Sequence, residues 1–102
     1  MRRTVYRYVF VEEVSLSEVQ DSLLLAVAAA EGLHGAARMK LEAGYLFDEA
    51  KRTCVVDAST PVGEAVARIF TGFLSREFGE RSFTAERVGS PRSSRPGAVV
   101  KQ

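Results

Sequence analysis

The chain has 102 residues, 46% of them hydrophobic and 26% charged, which is the balance of one small globular domain and excludes a disordered chain. Fourteen basic against thirteen acidic residues leave a net charge of +1, so bulk electrostatic attraction to nucleic acid is excluded and any such binding needs a local basic patch. Cys54 is the only cysteine, which excludes an internal disulfide and fits a reducing compartment.

Residues 4–13 (TVYRYVFVEE) are rich in β-branched and aromatic side chains and predict a first strand. Its first residues form no apolar leader, and the longest apolar run, Leu23 to Ala30, is too short to span a bilayer. A cytoplasmic protein with no membrane partner is therefore expected. Ser15-Leu16-Ser17-Glu18 is a capping box, in which the serine oxygen accepts a free amide at the start of a helix. Leu16, Val19, Leu23, Ala26, Val27 and Ala30 follow at helical spacing, and Gly32 is a natural stop, predicting a helix over 16–31.

From Ala36 to Phe47 the apolar period switches to two. Met39, Leu41, Ala43, Tyr45 and Phe47 fall on one side, with Arg38, Lys40 and Glu42 on the other, predicting a strand. Residues 48–52 (DEAKR) read as a turn, and residues 53–58 (TCVVDA) as the returning strand of a hairpin. Thr60 is a good N-cap, and Pro61 suits a first helical position whose amide would be unpaired anyway. Val62, Val66, Ile69, Phe70 and Phe73 form that helix's apolar stripe, and Gly79 ends it. A last strand is expected over about 82–88. Beyond Gly89, the segment GSPRSSRPGAVVKQ has too little apolar surface to offset chain entropy, so residues 1–88 are expected to form the domain and 89–102 a mobile tail.

The element order is thus β–α–β–β–α–β. In that order the chain resembles the ferredoxin-like superfold, an α+β two-layer sandwich. The resemblance implies a four-stranded antiparallel sheet, ordered 4-1-3-2, with two helices on one face. The superfold hosts many unrelated functions, so it implies none in particular.

The first strand has two candidate inward faces. Alanines at 26 and 30 leave room for large sheet side chains, and pointing Tyr6, Tyr8 and Phe10 inward leaves the Arg7 charge solvated. The uncovered face then holds Val5, Arg7, Val9, Val11, Arg38, Lys40, Glu42, Thr53, Val55, Asp57, Thr84, Glu86 and Val88, with valines at its centre and mixed charge at its rim. That is the anatomy of a protein–protein interface. The first helix is also apolar all round from Leu23 to Ala30, so Leu24, Leu25, Ala28 and Ala29 cannot all face the sheet. A non-catalytic, self-associating interaction module, most simply a homodimer, accounts for both surfaces.

Chemistry is sparsely signalled. His34 stands alone between Leu33 and Gly35, without the oriented partners of a general base or metal ligand. Cys54 is expected inside, as a small hydrophobe with a raised pKa. There is no CxxC motif, so no metal is expected. The loop Glu13-Val14-Ser15 lacks the glycine and arginine of a phosphate cradle. Glu12 and Glu13 are consecutive, so on a strand they point to opposite faces and form no tight pair. No cofactor is expected.

Two rival readings have residues to offer. RNA-recognition domains share the topology and stack bases on sheet aromatics; Tyr6 and Tyr8 with nearby arginines would supply half of such a platform, but the third strand has no aromatic and carries Asp57. Nucleic acid is therefore possible but not favoured. A regulatory small-ligand domain would need a pocket, for which Tyr45 and Phe47 with His34 are candidates.

Overall fold

The structure is a computed structural model that describes residues 3–88; the segment 89–102, expected as a tail, lies outside the described residues. Alternation in the first strand, β1 (Val5–Phe10), organises the molecule. Tyr8 and Phe10 are buried and Tyr6 is partly buried against the same core, whereas Arg7 is exposed on the opposite side. The aromatics therefore point inward, and the charge remains in water.

The first helix, α1 (Leu16–His34), starts where the Ser15 hydroxyl accepts the Glu18 amide at 3.4 Å. It runs past Gly32 to Gly35, whose φ of +92° is open to glycine and strained for other residues. Gly32 is tolerated because it sits on the exposed side of the helix and gives up only propensity.

Residues 36–42 depart from the expected strand. They form a second helix, α2 (Ala36–Glu42), so the chain has three helices where two were expected. Every residue in AARMKLE is a strong helix former and none is β-branched. Arg38 also grips Glu42 one turn on with two hydrogen bonds, at 3.2 and 2.9 Å. Only Met39 is buried, so the apparent period of two was carried by residues that do not share a face. Arg38, Lys40 and Glu42 consequently do not lie on the open sheet face.

The hairpin of β2 (Tyr45–Asp48) and β3 (Thr53–Asp57) follows, then α3 (Pro61–Phe78), a short 3₁₀ turn at Glu80–Ser82, and β4 (Phe83–Val88). Thr60 caps α3, accepting the Gly63 amide at 3.0 Å and donating to the Glu42 carbonyl at 3.1 Å, which ties α2 to α3. The fold is α+β, with a four-stranded antiparallel sheet in the order β2-β3-β1-β4; from the other edge this reads β4-β1-β3-β2.

The core lies between the sheet and α1 and α3. Val19, Leu23, Ala26 and Ala30 of α1 meet Val62, Val66, Phe70 and Leu74 of α3 above Tyr8, Phe10, Cys54 and Val56. Tyr8 fastens the layers: its ring stands edge-on to Phe70 at 5.0 Å, and its hydroxyl bonds Thr71 Oγ1 at 2.8 Å and the Ala67 carbonyl at 3.3 Å. α3 therefore sits over β1. α1 packs beside α3.

The start of α3 also approaches the end of β3 closely. A Cβ on Gly63 would stand 1.9 Å from the Asp57 carbonyl oxygen, so backbone would have to move. Gly63→Ala should therefore lower stability by about 3 kcal/mol in urea unfolding. Gly72→Ala, which meets nothing within 4 Å in mid-helix, should instead raise it slightly.

Candidate interaction surfaces and groove

Three surfaces emerge from this arrangement. The first is the uncovered sheet face. Strand register sets Val5 beside Asp57 and Val88, then Arg7 between Val55 and Glu86, then Val9 between Thr53 and Thr84. Val5, Val9 and Val55 are only partly exposed, and Val11 lies just beyond the strand end. The middle row differs from the expected plain of valines. Arg7 and Glu86 form a 3.1 Å ion pair there, each about half exposed, so charge occupies the centre as well as the rim. Such a pair contributes little stability, but docking an apolar partner on it means removing both charges from water. Leu46, which pairs with Val55, extends this face to the β2 edge; the sequence reading missed it.

The second is the set of exposed apolar side chains carried by α1, α2 and β2. Seven large hydrophobic residues are exposed among the described residues: Val11, Leu24, Leu25, Leu33, Leu41, Tyr45 and Leu46. All but Val11 fall on these three elements. Ala28 and Ala29 are exposed beside Leu24 and Leu25, as their spacing implied. Ser22 of α1 donates to Glu77 of α3 at 3.1 Å, which marks the side of α1 facing α3. At about 100° per residue, Leu24 and Ala28 lie on roughly the opposite side of the helix, away from α3.

The third is a groove of about 420 Å³ between α3 and the β1–β4 side of the sheet, lined by Tyr6, Tyr8, Glu64, Ala67, Arg68, Thr71 and Ala85. Among the described residues no helix covers β4, and Ala85 leaves the space open. Glu64 and Arg68 pair across one helical turn at 3.2 Å along its wall. The pocket expected from His34, Tyr45 and Phe47 is not this one: His34 ends α1, Tyr45 is at the β2 edge, and Phe47 packs on the core. Tyr8 is 1% exposed, so it cannot stack a base, and Tyr6 faces the helix side. The tyrosine platform of the nucleic-acid reading is absent for that reason.

Among the described residues, no group of three histidine, cysteine or acidic side chains is placed to hold a metal ion, and no helix is long and apolar enough to cross a membrane. Cys54 is fully buried, and loss of hydration pushes its thiol up to about 12. Burial likewise raises the Tyr8 phenol above its ordinary value. Compared with protein families, characterised proteins and solved structures, the chain matches none.

The thiol has a measurable consequence. The unfolded thiol ionises near its ordinary value of 9.0, while the folded one holds its proton to about 12. Above pH 9 the unfolded state therefore binds fewer protons, and stability falls as pH rises, by about 1.4 kcal/mol per pH unit at full effect. Urea titrations between pH 8 and 11 (chosen to bracket the ordinary value) should show this loss. In Cys54→Ala its onset should move about a unit higher, to where tyrosine begins to ionise.

Proposed function

We propose that this protein is a non-catalytic, self-associating module on a ferredoxin-like sandwich, with α2 as an addition between the first helix and the second strand. The strand order and the two long helices on one face support the fold reading. The observation that carries the functional reading is the confinement of six of the seven exposed large hydrophobics to α1, α2 and β2. Apolar side chains scattered singly over a surface need no explanation, but their concentration on three consecutive elements supports a contact surface there. A homodimer is the simplest partner. The open sheet face contributes less, because its middle row is an ion pair.

A second reading has one observation in its favour. The α3–β4 groove has the volume of a small-ligand site and mixes tyrosine rings with a charged wall, which suits a regulatory domain that binds a metabolite.

Sedimentation velocity at micromolar concentration should give a dimer for the native chain. Leu24→Glu combined with Leu25→Glu should give a monomer with an unchanged far-UV spectrum, since both side chains are exposed; a native monomer would sink the proposal. For the second reading, a metabolite panel should yield a compound that raises the melting temperature, and Ala85→Phe, which fills the groove, should abolish the rise.

A further inference from the structure

The two sheet edges differ in a way that bears on how copies meet. β4 carries Glu86 and Arg87. β2 presents Gly44-Tyr45-Leu46-Phe47, without charge or proline before Asp48, and its Leu46 is 67% exposed. An apolar edge without charge or proline is a template for another strand. Its backbone is also available. The Asp57 amide donates to the Gly44 carbonyl at 2.8 Å. Antiparallel ladders alternate, so Leu46 and Asp48 likewise direct their backbone groups to β3 while Tyr45 and Phe47 turn theirs outward.

We propose that a second copy of this chain occupies that edge: β2 pairs antiparallel with β2 of the partner about a two-fold axis at Leu46, joining two four-stranded sheets into one of eight strands. The proposal rests on the self-association reading and gives it a geometry. In a continuous sheet, paired side chains share a face, so the register can shift only in steps that preserve face. Centred on Tyr45, the pairing sets Leu46 against Gly44. Centred on Phe47, it sets Leu46 against Asp48. Centred on Leu46, it sets leucine against leucine on the open face and Tyr45 against Phe47 twice on the helix face, which are favourable cross-strand pairs.

A two-fold axis perpendicular to the sheet keeps both helix layers on one side.

The test is sedimentation velocity on the native chain, Leu46→Glu, Leu46→Lys, an equimolar mixture of those two, and Val9→Glu. Leu46 is largely exposed, so the charged variants keep the fold, which circular dichroism checks. The native chain should be a dimer. Each Leu46 variant alone should dissociate about a hundredfold more readily, from losing two buried leucines and setting like charges together. The mixture should recover a heterodimer, and Val9→Glu should remain a dimer. Leu46→Cys should cross-link to itself under mild oxidation, because the native thiol, Cys54, is buried. A native monomer overturns self-association and this geometry together. A dimer unmoved by Leu46→Glu, a mixture that stays monomeric, or Leu46→Cys that does not cross-link overturns the edge pairing while leaving self-association standing.

Discussion

The hold of Tyr8 on α3 decides which surfaces this protein has left to use. Its ring lies against Phe70 and its hydroxyl reaches Thr71 and the Ala67 carbonyl, so the central strand has one permitted orientation. A shift of one residue would bury Arg7 beneath two helices and expose three aromatic rings, costing several kcal/mol on either count. With the ring fixed, α3 lies over β1, and among the described residues a groove opens between it and the β4 side of the sheet.

A second clamp holds the opposite end of the sandwich. Arg52, at the end of the hairpin turn, adopts a left-handed φ of +54° and sends its guanidinium to the carbonyls of Phe10, Val11 and Val14. These carbonyls lie at the end of β1 and in the bend before α1, where the Val11 carbonyl also accepts the Val14 amide at 3.2 Å. A single cation satisfies them in a fork that lysine cannot reproduce. The Phe10 amide returns the bond to the Arg52 carbonyl at 3.1 Å. The β2–β3 hairpin is therefore anchored at its turn.

Where local chemistry and tertiary packing agreed, the sequence was readable. Ser15, Thr60 with Pro61, and Gly79 act as read, and the inward face of β1 follows from pairing small helix residues with large sheet residues. Residues 36–42 misled because Met39, Leu41 and Ala43 mimic a period of two, while helix propensity and the Arg38–Glu42 pair favour the helix. Arg7 could be assigned to the open face from its charge alone. That Glu86 would meet it required the register of β1 with β4, a long-range fact that no local pattern contains. Leu46 escaped notice for a similar reason: its exposure is set by the absence of a neighbouring strand, not by its own residue type.

The unequal edges bear on why self-association would stop at two. An apolar strand edge left open recruits strands without limit unless symmetry closes the contact. Pairing β2 with itself about a two-fold axis uses each exposed edge once and leaves β4 at both ends of the joined sheet. β4 carries Glu86, held by Arg7, and Arg87 on the other face. Further β4 to β4 pairing centred between these residues would violate the alternation of faces, and centring it on Glu86 would set carboxylate against carboxylate. The charges that make the open face a poor docking surface thus also guard the remaining edge, and β2, charged only at its last residue, stands as the sheet edge suited to a second copy.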